Sequence, residues 1–397
     1  MKTHLNVDLI PNNIGSCEEI VINMLQYTTC VKVVSFFTEN EIQISERLQQ
    51  IPHWQLYYDC IAEYEHMKIH LSRGQSPRKP PTHEFCSPQP LEKVGPNPLS
   101  MGAYGGLPPF FLKERWIHTG EGFIPEEEVY GGSAPVLCKY LQSKTVDFDE
   151  FFLSLPSPKL IVFHVIDSYY HLLNSFYRLQ QNSICYYNFS PEYLLFDEYY
   201  KPKITKFDKS IQTDRVNEQI IIFLIRGTKD FTHKPLEVHL LFYLIANNVD
   251  LLTDDLMVTI CDTFIENLAI LHLFSQQYKD LHRNECLSLL TRYLNKRRTE
   301  IIADVLKYID TWDNYGISML YLHLIGNITS AFSLKGTIMS KLIALLTKNI
   351  SPTPETRNTI QNTISIYKKL YCDFKDWSFV DQIQDTAIDV LRDKLTH

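Results

Sequence analysis

The sequence predicts an α+β chain in which a short, strand-bearing first part precedes a much larger, mostly helical second part. Three observations carry this. Residues 30–37 (Cys-Val-Lys-Val-Val-Ser-Phe-Phe) are rich in β-branched and aromatic types and read as a strand, as does the aromatic-rich stretch 55–64. From residue 160 apolar residues recur at helical spacing, and after about residue 235 that pattern continues to the end. Between the two parts, residues 71–135 hold 11 of the 20 prolines and 9 of the 14 glycines, which marks an insertion, not a core element.

In chain order, residues 39–50 read as a helix with Ile42, Leu48 and Ile51 on its apolar side, ended by Pro52. The 71–135 stretch reads as a partly extended insertion loop. Phe110, Phe111 and Trp116 favour an ordered strap as the alternative. Residues 136–140 form a short strand, 160–180 a long helix, and 184–207 a loop, strand, turn and strand. Breaks fall near 230, 311 and 351, and no internal repeat is present.

With 397 residues, 45% of them hydrophobic and 21% charged, the chain has an ordinary globular composition and length enough for a large core. A formal net charge of −8 argues against a general nucleic-acid binder. The nine cysteines are scattered without a C-x-x-C pair and read as reduced thiols. The opening Met-Lys-Thr-His-Leu-Asn-Val-Asp has an early acid and no long apolar run, unlike a secretory signal. The strongest apolar run, 220–225, is far too short to span a bilayer.

The chemistry-bearing segments are spread along the chain. Val31-Lys32 lies on the first strand, with Glu41 on the following helix. Val136 to Tyr140 is followed by Asp149-Glu150-Phe151-Phe152. Tyr186-Tyr187-Asn188 precedes Pro191-Glu192, the strand beginning at Tyr193, and Lys206-Phe207-Asp208. Lys234-Pro235-Leu236-Glu237, Thr311-Trp312-Asp313 and Arg357 follow. Together these resemble the motifs of the protein kinase superfamily, over about residues 20–370. The kinase pattern is H-R-D-L-x-x-x-N, two strands, D-F-G and A-P-E.

The resemblance implies a bilobal protein-kinase-like fold with a reduced β-rich N-lobe (1–70), a Pro/Gly-rich insertion (71–135) and an enlarged helical C-lobe (136–397). A helical insertion at about 238–310 separates Glu237 from Asp313 by roughly seventy residues, where kinases need few. It casts Lys32 and Glu41 as the nucleotide-binding pair, at a spacing shorter than kinases normally show. Asp313 would steady the catalytic-loop backbone, and Glu237 with Arg357 would form a buried ion pair.

The same alignment removes the chemistry. Asn188 stands where the catalytic aspartate belongs, and an amide cannot accept the substrate hydroxyl proton as a carboxylate can. Tyr193 stands for the metal-binding asparagine, and Lys206 for the aspartate that holds Mg²⁺. Asp208 and Asp197 are the compensating candidates, with the plainer reading that both are turn acids. Structural markers are kept while chemical ones are lost, a split that random decay would not favour.

Simpler readings cover the remaining features. The Gly102–Gly106 run follows the candidate lysine, whereas a kinase glycine loop precedes it, and only Gly15 lies upstream. His164, His171 and His239 lack metal-ligand partners at suitable spacing. Lys296-Arg297-Arg298 reads as a solvated helix end.

The expectation is therefore a catalytically inactive pseudokinase acting as scaffold, decoy or virion-associated protein, styled like the kinase-like proteins of large DNA viruses of eukaryotes. Host or viral proteins would be its partners, with no nucleic acid and no membrane span. Its place would be the infected host cell's cytoplasm or the virion. The alternatives are a divergent active serine/threonine kinase using Lys32, Glu41 and Asp208, with ATP and Mg²⁺, or a nucleotide-binding switch without transfer.

Overall fold

The computed structural model describes residues 27–32, 35–66, 116–119, 122–125, 136–228, 230–331, 334–375 and the single positions 377, 379, 388 and 392. The Gly102–Gly106 run, Gly15, Phe110, Phe111, Cys17 and Cys86 lie outside them, as does most of the 71–135 insertion. Within that insertion the backbone forms one antiparallel hairpin, β3 (Trp116–Thr119) with β4 (Gly122–Pro125).

The first sheet has the order β1-β5-β2, all antiparallel, from β1 (Tyr27–Lys32), β2 (Ile61–His66) and β5 (Val136–Leu141). Lys32 sits opposite Val136, and Cys138 is flanked by Cys30 and Tyr64. Helix α1 (Phe36–Leu48) packs on this sheet, and Ile42 joins Ile61, Val136 and Cys138 in a small apolar cluster of its own.

Two strand expectations are corrected here. Phe36 and Phe37 open α1 instead of continuing the strand, because Ser35 caps the helix, its hydroxyl accepting the Thr38 amide at 3.2 Å. Val33 and Val34 lie outside the described residues. In the 55–64 stretch only Ile61 onward is strand. Trp54–Leu56 is a 3₁₀ turn, and Tyr58 is used for packing, its hydroxyl donating to the Ser175 carbonyl at 2.7 Å.

The main core is helical. Helix α2 is Phe148–Ser154 and α3 is Pro158–Gln181, started by Ser157 as cap and Pro158 in the first turn. Along α3, Val162, Val165, Tyr169, Leu172, Phe176 and Leu179 line one buried face at helical spacing. After α4 (Glu218–Gly227) and α5 (Leu236–Ala246), the 238–310 region adds α6 (Asp254–Asn267), α7 (Gln276–Thr291) and α8 (Arg298–Val305). Helix α9 (Trp312–Ala331) is buried nearly all round and packs against α3 and α10 (Ile338–Asn349), with α11 (Ile360–Asp373) closing that side. Among the described residues no helix is long and apolar enough to cross a membrane.

Short strands line the space between sheet and helices. β6 (Thr145–Asp147), β8 (Leu194–Asp197) and β9 (Pro202–Ile204) form one antiparallel sheet, and β7 (Ile184–Cys185) pairs with β10 (Ile211–Gln212). Phe151 of α2 stacks flat on Phe196 of β8, ring centroids 3.7 Å apart.

Buried histidines make this core acid-sensitive. Burial pushes the imidazoles of His171, His239 and His282 down to about 4 from the usual 6.5. Below pH 6.5 the unfolded chain takes up protons that the folded chain refuses until near pH 4, so stability falls as pH drops through that window. His282, 2% exposed, accounts for on the order of 2 kcal/mol of this. Asp313, raised to about 6 by burial, opposes the trend, as do smaller rises at Asp59 and Asp208. The expected result is a urea midpoint that drops steeply between pH 6.5 and 4 and changes little from 6.5 to 7.5. A flat acid limb would contradict the neutral histidines.

Candidate functional site

The register of β1 and β5 and the Ser35 cap together bring three side chains to one point. Lys32 Nζ lies 2.5 Å from Glu41 Oε2, and the Tyr140 hydroxyl donates to Glu41 Oε1 at 2.9 Å. The Lys32 ammonium also stands 5.5 Å above the Tyr140 ring. Glu41 is 4% exposed, while the Lys32 side chain keeps 26% of its surface open. Both Glu41 oxygens are therefore occupied, and burial first, then the Glu41 charge, pushes the Tyr140 phenol far above its ordinary value.

Glu41 and Tyr140 border a cavity of about 320 Å³. Thr28, Glu41, Asp59, Tyr140, Thr205 and Lys206 line it, with Leu195 and the short connection 141–143. Burial raises the Asp59 carboxyl, against the opposing charges of Lys203 and Lys206.

The loop beside the cavity is held from beneath. Asp313, 5% exposed at the start of α9, accepts the Tyr186 amide at 2.8 Å and the Tyr187 amide at 2.9 Å. That grip fixes Tyr187 at φ 58°, a region bulky side chains rarely enter. The buried Lys234 ammonium stands 5.0 Å above the Tyr187 ring and donates to the Phe189 carbonyl at 3.5 Å. Burial lowers it to about 8.

Phe207 is buried against Tyr58 and Tyr186. Its neighbour Lys206 is exposed, sits at φ 58°, and makes no ion pair among the described residues. The segment from Phe207 to Leu236 is tied to α1. Asn40 Nδ2 donates to the carbonyls of Asp208 and Ser210, both at 2.8 Å, and Arg47 forks onto Asp214 at 2.9 and 3.1 Å. Phe223 of α4 packs on Phe36 and Phe37.

Far below, Arg357 NH1 and NH2 meet the two Glu237 oxygens at 2.5 and 2.9 Å, with side chains 0% and 1% exposed. Trp312 Nε1 adds a bond to Glu237 at 3.2 Å.

The structure thus brings Lys32 to Glu41, Asp313 to the 186–187 loop, and Glu237 to Arg357. It places Asn188 buried within the loop, Tyr193 half-buried on a 3₁₀ turn, and Lys206 on the cavity wall. The residues do not fit Mg²⁺. Asp197 Oδ1 serves its own turn, accepting the amides of Tyr199 and Lys201. Burial and the Glu41 charge raise the Asp208 carboxyl, and the charges of Lys209, Lys32 and Lys206 act on it. Among the described residues no three His, Cys, Asp or Glu side chains cluster as a metal site.

Tyr140 and Lys234 were read only as members of the 136–140 and 234–237 segments, with no role of their own, and Asp59 was not read at all. Lys234 stands two residues before the apolar start of α5. Tyr140 had its place near the end of β5.

In a mostly helical chain with small antiparallel sheets, Lys32 of β1 thus pairs with Glu41 of α1, Asp313 clamps the 186–187 loop, and Glu237 pairs with Arg357 in the core. Among solved structures the chain is similar to the LegK7 effector kinase of Legionella pneumophila, at a TM-score of 0.35 and 12% identity, over 66% of this chain and 50% of that one. The match spans about half of that kinase's length. No protein-family model matches the chain, and no curated protein does.

Proposed function

We propose that this chain is a bilobal kinase-like protein that transfers no phosphate and works by presenting surfaces to protein partners. The observation that carries the reading is Lys206 on the cavity wall, an ammonium where phosphoryl transfer needs a metal-binding carboxylate. Asn188 and Tyr193 point the same way, the first because an amide does not accept a proton as a carboxylate does, the second because a phenol is a poor Mg²⁺ ligand. The intact tertiary anchors support a fold kept for its shape. The 238–310 helices and the 71–135 insertion, both additions to the kinase plan, are the surfaces we assign to partners. A viral setting, with the infected cell's cytoplasm or the particle as location, rests on sequence style alone.

The test is incorporation of labelled phosphate from ATP into a general acceptor protein and into the chain itself, with Mg²⁺ or Mn²⁺. The expected result is no incorporation above that of Lys32→Ala. Incorporation that Lys32→Ala abolishes would establish an active kinase instead.

A further inference from the structure

We infer that Cys30 and Cys138 are an oxidative modification site, a thiol pair that closes into a disulfide between β1 and β5 when a peroxide meets the folded chain.

Three placements carry it. In the antiparallel register Cys30 stands directly opposite Cys138. Opposite residues of such a pair share one face, with Cβ atoms about 4.5–5.5 Å apart. A disulfide spans about 3.5–4.5 Å between Cβ atoms, so an approach of about 1 Å completes the geometry. The second placement is the face itself. Cys30 packs against the apolar cluster of Cys138, Ile42, Ile61 and Val136, so both thiols lie on the side covered by α1. The third is the position of β1. Among the described residues it is an outer strand of its sheet with four of its six residues exposed, so little packing resists the shift.

Unequal access sets the order of steps. Cys138 is fully buried, while Cys30 is half-buried. Burial also pushes the Cys138 thiol up to about 11, with the Lys32 charge opposing. Cys30 therefore reacts first. Its thiolate attacks the peroxide O–O bond, becoming a sulfenic acid and releasing hydroxide, which recovers the Cys30 proton as water. The Cys138 sulfur then attacks the Cys30 sulfur. The S–S bond forms, and the sulfenic hydroxyl leaves with the Cys138 proton as a second water. Two thiols lose two electrons and two protons, and one peroxide is reduced to two waters. The bond closes a loop of roughly a hundred residues that contains the 71–135 insertion. It also ties the strands together two residues before Lys32 and Tyr140, the two side chains that meet on Glu41.

Peptide mapping of the full chain after hydrogen peroxide, with free thiols alkylated and no reductant, tests this. The expected result is a peptide linking Cys30 to Cys138, lost on adding dithiothreitol, with little dimedone adduct on Cys30. In Cys138→Ala, Cys30 should carry roughly tenfold more of that adduct, because no thiol resolves the sulfenic acid. Cys138 sits in a packed cluster, so Cys30→Ser, at the half-buried position, is the companion variant. There Cys138 should pass through the same treatment as a free thiol. Cys30 linked to any other cysteine, Cys30 left as a sulfenic or sulfinic acid beside a free Cys138, or both thiols unmodified would each overturn the inference. So would a Cys138 thiol lost as fully in Cys30→Ser as in the parent chain.

Discussion

Glu237→Ala and Arg357→Ala should each destabilise the chain by about 3–5 kcal/mol, the usual effect of stranding one charge of a buried pair. Here each partner is satisfied only by the other and by near neighbours. Arg357 spends its remaining donors on the Ser351 carbonyl at 2.6 Å and the Pro352 carbonyl at 3.1 Å, and its guanidinium stands 5.1 Å from the Tyr315 ring. Removing Glu237 leaves a guanidinium with no exposed surface facing two carbonyls and no carboxylate. Removing Arg357 leaves a carboxylate with Trp312 Nε1 as its remaining side-chain donor. The double variant removes both charges, so its loss should be well below the sum of the singles. Urea midpoints of the four proteins measure this. Additive, small losses would mean that the pair is not closed in solution.

Asp313→Ala should lose roughly 3 kcal/mol, because two buried backbone amides then lack an acceptor. The loss has a local signature as well. Among the described residues no other acceptor holds the 186–187 amides, so Tyr187 should leave its left-handed conformation and take the loop with it. Asp313→Asn retains one acceptor oxygen but turns an N–H₂ toward the second amide, and should fall between. Hydrogen exchange at Tyr187, read beside the urea midpoint, separates loop release from general destabilisation. Exchange unchanged in Asp313→Ala would show that the loop does not depend on the carboxylate.

What the sequence made legible and what it hid follow from the range of the interactions. Helix α3 was readable because its apolar period and its Ser157-Pro158 start are both local. Helix α4 was hidden, because Ile220 to Ile225 is a continuous apolar run that fits a buried strand or a helix equally well. The deciding signal was Asn217, whose side chain caps the Ile220 amide at 3.0 Å. The Lys32–Glu41 spacing of nine looked short by motif, but α1 begins only four residues beyond the lysine, so its first turns already reach back to it. Tyr140 could not be read at all as a third partner, since it meets Glu41 from 99 residues away. Only the β1–β5 register decides that meeting.

Asn40 has a wider consequence. One carboxamide on α1 holds two carbonyls of the turn that carries Lys206 and Phe207, and Arg47 repeats the tie one segment further on. The helix cannot swing outward without breaking all of these bonds. Helix α1 and the 206–214 segment are therefore tied together, and a displacement of the helix would pull on the turn that sets Lys206 on the cavity wall.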